Sequence, residues 1–203
     1  MHISEGVLST SVLISGAALA AAGTAVGLKK LDYEKVPQVA VLSAAFFIAS
    51  LVHVPIGPSS VHLILNGLIG LILGWVSFPA ILTALLLQAV LFQYGGLTSL
   101  GVNTMIMSFP AVVCFLVFGA GARSDKVTVS TVFAFLCGSF AVLLGALIAA
   151  LALVTSGESF LSAAKVMVVA HIPVMVIEGV ITALCVKFLK KVKPEILEVI
   201  YAK

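Results

Sequence analysis

Residues 129–154 read VSTVFAFLCGSFAVLLGALIAALALV, a continuous apolar stretch without a charged side chain. A helix needs about 20 predominantly apolar residues to cross the hydrocarbon core of a bilayer. This stretch is therefore long enough to span a membrane, and the rest of the chain shares its character. Of the 203 residues, 62% are hydrophobic and only 9% are charged. Because a water-soluble domain carries roughly 25% charged residues, the sequence predicts an integral membrane protein.

Seven apolar segments can be drawn between charged or Gly- and Pro-rich breaks. They are Val7–Leu28, Val39–Val54, Val61–Val76, Ala80–Tyr94, Thr104–Ala122, Val129–Val154 and Lys165–Phe188. The second to fourth segments are short for a full bilayer crossing. We predict an all-α, polytopic membrane fold with about seven transmembrane helices. Residues 1–188 are predicted to form a single transmembrane domain that includes the N-terminal segment, and residues 189–203 a basic cytoplasmic tail.

Cationic side chains predict the orientation of the chain, because Lys and Arg accumulate in cytoplasmic loops. If the number of spans is odd and the N-terminus is outside, Lys165 is the only cationic residue on the outer side. The others then face the cytoplasm, namely Lys29, Lys30, Lys35, Arg123, Lys126, Lys187, Lys190, Lys191, Lys193 and Lys203. The opposite orientation would translocate nearly all of them. We therefore predict an outer N-terminus and a cytoplasmic C-terminus, with the bilayer as the main partner.

Several function classes find no support in the sequence. The net charge of +3 is too small to favour nucleic acid binding. No G-x-x-x-x-G-K-[ST] string is present, so any ATP hydrolysis must belong to separate subunits, and the chain is not expected to be an enzyme. The cysteines Cys114, Cys137 and Cys185 lie in apolar runs without the paired spacing of a zinc or redox site.

His2 follows Met1 directly, and this order permits an N-terminal metal chelate. The terminal amine, the backbone nitrogen of residue 2 and its imidazole can bind one ion together once the amide has lost its proton. An all-nitrogen set favours square-planar or tetragonal geometry, which is typical of Cu(II) or Ni(II). Three nitrogens leave one position open for a distant ligand. The alternative is that this histidine has no function, and removal of a leader near residues 17–23 would abolish the chelate.

His53 and His62 flank the Pro- and Gly-rich turn Pro55–Ser60, on the same predicted outer face as His2. Imidazole binds Ni, Co, Cu and Zn, so either histidine can supply the missing ligand. The alternative for each is an interfacial side chain that hydrogen-bonds to the backbone. Asn103 ends a loop that is also predicted outside, where it either orders the metal-binding segment or caps the following helix.

The last apolar segment contains His171 and Glu178, seven residues apart and hence on one helical face. Ionisable residues within a span are costly and mark functional sites by default. This pair is interpreted as a second shell of the metal site or as an ion or proton path. The alternative is an interhelical hydrogen bond, with Gln88 or Asn66 as partner.

Four ordered motifs carry a resemblance to a known family: MHISEG (1–6), VPIGPSSVH (54–62), GGLTSLGVN (95–103) and AHIPVMVIEGVIT (170–182). Together they resemble the CbiM/NikM proteins, the substrate-binding (S) membrane subunits of energy-coupling-factor cobalt and nickel transporters. The resemblance covers nearly the whole chain. It implies seven helices with the N-terminus inserted into the protein, in a multi-pass protein of the prokaryotic inner membrane.

The resemblance also implies a metal site and partners. Its ligands are the amine of Met1, the backbone nitrogen and imidazole of His2, and the imidazole of His62, with no ligand role for His53. Ni(II) or Co(II) is bound as substrate and no catalytic cofactor is expected. The implied partners are a transmembrane coupling (T) subunit, two cytoplasmic ATPase subunits and a small accessory membrane subunit. The turn GPSSVH and Ile106 depart from the family pattern, so the choice between nickel and cobalt stays open.

Two alternatives belong to other functional classes. In a membrane haem-binding oxidoreductase subunit, two of His53, His62 and His171 would ligate haem from facing helices. In an importer subunit for an organic vitamin, an aromatic-lined pocket is expected, yet the single Trp75 lies near the predicted cytoplasmic face.

Overall fold

The computed structural model describes residues 1–51 and 53–197. This part of the chain forms eight α-helices and a small two-stranded hairpin. The helices are α1 (Thr10–Lys29), α2 (Val36–Ala49), α3 (Asn66–Leu73), α4 (Ser77–Phe92), α5 (Leu100–Ala122), α6 (Val127–Ser156), α7 (Leu161–Ala170) and α8 (Ile172–Val192). The strands are β1 (His53–Ile56) and β2 (Ser59–His62). The predicted helical membrane fold is confirmed.

Five helical runs among the described residues are long and apolar enough to cross a bilayer, compared with about seven predicted segments. They are Thr10–Lys29, Asn66–Phe92, Leu100–Ala122, Val127–Ser156 and Glu158–Val192. The difference has two physical reasons. The 3-10 turn Gly74–Val76 follows α3 and precedes α4 without a gap, so two predicted segments fall in one run by length and composition, although Leu71 of α3 contacts Arg123 and Gln88 of α4 contacts His2. Helix α2, with 14 residues, is shorter than the hydrocarbon core requires.

The hairpin was not predicted, because its β2 strand begins a long apolar stretch that resembles the start of a span. Strands β1 and β2 are antiparallel, with His53 opposite His62 and Ile56 opposite Ser59. The two-residue loop begins at Gly57, whose φ of 55° suits a tight hairpin. The third apolar segment was therefore placed too early, since α3 begins at Asn66 and not at Val61.

Close packing in the bundle depends on residues without bulky side chains. Helix α6 packs against α5 and α8, and a Cβ on Gly138 would lie 2.5 Å from the Glu178 backbone oxygen of α8. A Cβ on Gly70 of α3 would lie 2.2 Å from the Ala111 oxygen of α5. Small residues thus let the helix backbones approach, as in other membrane bundles.

The N-terminal nine residues precede α1 and turn inward. Met1 and Ile3 are fully buried, and a Cβ on Gly145 of α6 would lie 2.6 Å from the Met1 Cε. The chain terminus is therefore packed inside the bundle.

At the end of the bundle away from the N-terminal segment, Arg123 at the end of α5 links separate parts of the chain. Its guanidinium donates to the backbone oxygens of Leu71 and Leu197, each at 2.7 Å. Helix α8 continues to Val192, so the first residues of the predicted tail are helical, whereas residues 198–203 lie outside the described part of the chain.

Candidate metal centre

The structure brings three predicted site residues together in the buried interior. The terminal amine of Met1 lies 2.5 Å from Nε2 of His62, and the imidazole rings of His2 and His62 are 4.7 Å apart between centroids. All three residues are buried. Because residue 62 follows residue 1 by 61 positions, this proximity arises from the inward fold of the terminus and from the hairpin.

Asn103 holds the N-terminal segment in place with its side-chain amide. Its Oδ1 accepts from the backbone nitrogen of Ile3 at 2.9 Å, and its Nδ2 donates to the Ile3 oxygen at 3.1 Å. The side chain thereby pairs with the segment much as a neighbouring strand would. Asn103 lies within α5, one turn after Ser99 at its N-cap position, so ordering the segment describes its role better than helix capping.

Further contacts attach the segment on either side of Asn103. The backbone nitrogen of Ser4 donates to the Pro58 oxygen in the hairpin loop at 3.2 Å. The carboxylate of Glu5 accepts from the backbone nitrogen of Thr98 at 2.9 Å, and this contact lowers the pKa of Glu5. The segment is thus attached both to the hairpin and to the loop before α5.

The tautomer of His62 follows from a neighbouring carbonyl. Its Nδ1 lies 2.8 Å from the Leu63 backbone oxygen, which can only accept, so Nδ1 carries the proton. The lone pair of Nε2 then faces the Met1 amine. Hydrogen bonding of one ring nitrogen to a backbone carbonyl is the usual way in which proteins orient a metal-binding imidazole.

Gln88 of α4 sets the opposite tautomer on His2. Its Nε2 donates to the Phe47 oxygen at 3.0 Å and to the Ser50 hydroxyl at 2.5 Å, so its Oε1 is the atom 3.0 Å from Nε2 of His2. An amide oxygen accepts only, and Nε2 of His2 therefore carries the proton. Its Nδ1 and its backbone N–H make no hydrogen bond within the described residues.

From the sequence, Gln88 is predicted only as a candidate hydrogen-bond partner for the pair His171 and Glu178. The signal for its role was a single amide side chain in the otherwise apolar stretch AILTALLLQAV, residues 80–90. Its link to His2 depends on a contact between residues 86 positions apart, which apolar periodicity does not reveal.

Burial lowers the pKa of all three nitrogen groups. It lowers the pKa of the Met1 amine well below its usual 8.0. Burial, and then the charge of the terminal amine, lower the pKa of His2 to about 3 and that of His62 well below 6.5. Desolvation disfavours the charged form of a base, so burial favours the neutral forms whose lone pairs can bind a metal ion.

Glu178 contacts the chain directly after His62. Its Oε1 accepts from the backbone nitrogens of Ile64 at 2.5 Å and Leu65 at 2.9 Å, where Leu65 has a left-handed φ of 56°. Its partner is therefore backbone, not Gln88 or Asn66. The carboxylate stabilises the strained turn between β2 and α3 and so positions His62.

His171 lies at the junction of α7 and α8, with Nδ1 donating to the Met167 oxygen at 2.7 Å. Its Nε2 is buried without a hydrogen-bond partner in the described structure. Across residues 1–51 and 53–197, no three His, Cys, Asp or Glu side chains are arranged to hold a metal ion. Metal binding at this centre therefore needs backbone nitrogens in addition to imidazoles.

The donor atoms available at this centre are the terminal amine, an amide nitrogen and two imidazole nitrogens. Such nitrogen sets suit Ni(II), Cu(II) and Co(II) better than Mg(II) or Ca(II), which prefer oxygen.

Comparison with protein families gives a match along nearly the whole chain. Residues 2–196 match the CbiM family, described as the cobalt uptake substrate-specific transmembrane region. A putative metal transport protein of Haemophilus influenzae is 43% identical over 202 residues, which are 97% of each chain. A fused nickel transport protein NikMN of Rhodobacter capsulatus is 32% identical over 134 residues, or 63% of this chain and 39% of that protein.

A solved structure has the same fold. The crystal structure of a truncated transition metal transporter superposes with a TM-score of 0.74 at 28% sequence identity. The superposition covers 94% of this chain and 99% of the transporter.

Proposed function

The chain belongs to the CbiM family of membrane components for cobalt and nickel transport, and we propose that it captures Ni(II) or Co(II) outside the cell with nitrogens of Met1, His2 and His62. It is a multi-pass inner membrane protein. The observation that carries the proposal is the 2.5 Å contact between the Met1 amine and Nε2 of His62. These two groups are 61 positions apart in the sequence. A buried amine that faces the lone pair of a buried imidazole supplies two of the nitrogen ligands that a metal ion needs.

The remaining two donors come from His2. The Met1 amine and the His2 amide nitrogen form a five-membered chelate ring, and the amide nitrogen and Nδ1 of His2 form a six-membered one. The hydrogen bond from His2 to Gln88 leaves Nδ1 unprotonated for this purpose. Nε2 of His62 then completes a square plane of four nitrogens.

Capture replaces the hydrogen bond between the amine and His62 by bonds to the metal ion. The His2 amide must release its proton, and any protonated amine or imidazole must do the same. Binding is therefore expected to weaken in acid.

Delivery to the cytoplasm is proposed to depend on other subunits. The chain itself carries no phosphate-binding loop motif, so a transmembrane coupling subunit and two ATPase subunits would supply the energy, together with a small accessory membrane subunit. With the N-terminus outside, all cationic residues except Lys165 remain on the cytoplasmic side, in agreement with the positive-inside rule.

The haem-binding alternative finds no support. His53 and His62 lie opposite each other in one hairpin, not on facing helices as a haem would need. The similar proteins are metal transporters.

The test is stoichiometric binding of Ni(II) and Co(II) to the purified full-length protein by calorimetry. A form with Ser-Gly added before Met1 should lose binding, because the terminal amine is displaced from the chelate. His62→Ala should lose it as well. The control carries Ser-Gly after Lys203 and should bind like the native protein. Undiminished binding by the N-terminally extended form would contradict the proposal.

A further inference from the structure

A cavity of about 120 Å³ lies beside His2 of the candidate metal centre. Its floor includes His2, which is buried, and its wall includes His53 and Tyr94, which are half-buried. Its rim consists of exposed residues, namely Ser4, Pro55 and Gln93. A water molecule takes about 30 Å³ in the liquid, so the cavity has room for an ion with part of its hydration shell.

His53 is held in this wall by the hairpin. It lies directly opposite His62 in the register of β1 and β2, and directly opposed residues project their side chains on the same face of a sheet. Its ring packs edge-on against Tyr94, with centroids 4.3 Å apart. Tyr94 in turn lies 6.3 Å from the ring of His2. The three rings therefore lead from the rim to the floor of the cavity.

Only one of the two ring nitrogens of His53 makes a hydrogen bond within the described residues. Nδ1 lies 3.1 Å from the Leu51 backbone oxygen, to which it can only donate. In the neutral ring the lone pair is then on Nε2, which makes no hydrogen bond within the described residues. A half-buried imidazole with a free lone pair, beside the buried site, is a suitable transient ligand for a transition-metal ion.

We propose that this cavity is the entrance for the metal ion and that His53 is its first protein ligand on the way to the centre. The inference rests on the proposed function, because it takes Met1, His2 and His62 as the final site. An incoming ion exchanges a water molecule for Nε2 of His53, and then passes to His2 and His62 as it loses further water. His53 is not part of the final nitrogen set.

A transient ligand has a distinct kinetic signature. It lowers the barrier that the ion crosses on entering and on leaving, while the free energy of the final complex stays the same. Removing it should slow association and dissociation by the same factor and leave Kd unchanged. A final ligand would change Kd, and a residue without a role would change neither rate.

The test is stopped-flow measurement of Ni(II) association and dissociation with the full-length protein in lipid nanodiscs. His53→Phe keeps an aromatic ring against Tyr94 and removes both nitrogens. Both rate constants should fall roughly tenfold, which corresponds to about 1.4 kcal/mol in the activation free energy. Val54→Phe places the same side chain on the opposite, exposed face of β1, and it should load at the native rate.

Unchanged rates in His53→Phe would overturn the proposal, and so would a large rise in Kd with native association. If His53→Phe does not fold, His53→Gln provides the same comparison, because an amide is a poorer nickel ligand than imidazole. Failure of the native protein to bind Ni(II) would refute the proposed function itself. If the native protein binds Ni(II) and the His53 variants load at the native rate, the proposed entrance is refuted and the proposed function stands.

Discussion

Gln88→Leu should weaken Ni(II) binding without removing a metal ligand. In the native protein, Oε1 of Gln88 accepts from Nε2 of His2 at 3.0 Å. In the metal-bound form the lone pair of Nδ1 of His2 binds the ion, so the proton of the ring must stay on Nε2. In the variant this buried N–H has no acceptor. Nothing then holds the proton on Nε2 in the free protein, which can populate the tautomer protonated at Nδ1, whereas the loaded protein must keep the proton on Nε2.

The size of the effect follows from this asymmetry. A buried polar group without a partner costs about 1–3 kcal/mol, and 1.4 kcal/mol corresponds to a factor of ten in affinity. Loss of an outer partner of a metal-binding histidine typically reduces affinity about 10–100-fold. We therefore expect Kd for Ni(II) to rise about 10–100-fold in Gln88→Leu.

Two measurements distinguish tautomer control from general damage. Gln88→Glu retains an acceptor for His2 but cannot donate to Phe47 and Ser50. It should therefore recover most of the affinity lost in Gln88→Leu, while its melting temperature falls below that of the native protein. Nitrogen-15 spectra of labelled histidine should show His2 protonated at Nε2 in the native apo-protein and shifted towards Nδ1 in Gln88→Leu. Native affinity in Gln88→Leu, or an unchanged His2 tautomer, would refute the reasoning.

Three further outcomes are expected. Asn103→Ala removes both side-chain hydrogen bonds to the N-terminal segment. Calorimetry should therefore show weaker Ni(II) binding and a free energy of unfolding lower by about 1–3 kcal/mol. Native affinity in this variant would contradict the role of Asn103. Burial lowers the pKa values of Met1, His2 and His62, so the unfolded chain binds more protons than the folded one. The melting temperature of the apo-protein should thus fall as the pH drops below about 8 and continue falling towards pH 4, and a rise on acidification would be incompatible with neutral buried nitrogens. Glu178→Ala removes the acceptor of the backbone N–H groups of Ile64 and Leu65, so thermal stability and Ni(II) affinity should both fall. Glu178→Gln keeps an acceptor oxygen and should lose less, and equal losses would argue against the capping role.

Hydropathy predicted the membrane fold because lipid imposes a strong and simple constraint on composition. The long segments now in α1, α5 and α6 were recognised within a few residues of their ends. Shorter elements were less visible, since α2 and the α3–α4 pair differ from full spans only in length and in how they join. Strand β2 was hidden because SSVH runs directly into LIL, and an apolar run of this kind does not distinguish strand from helix.

The candidate site was predictable where the chemistry is local. The order Met1–His2 permits a chelate, and the resemblance of the motifs around His62 and Asn103 to the CbiM/NikM pattern indicated which distant residues to join to it. The roles of Gln88 and Glu178 were not predictable in this way. Both act through contacts between residues 86 to 114 positions apart, and neither the spacing nor the residue type specifies such partners.

The central claim is that four nitrogens, from the amine and from His2 and His62, surround the metal ion in a plane. X-ray absorption at the nickel edge of the loaded native protein tests it most directly. The account predicts a single shell of four nitrogen donors with the pre-edge feature of square-planar Ni(II), lost when Ser-Gly precedes Met1. A six-coordinate, oxygen-rich shell, or the same spectrum in the extended protein, would contradict it.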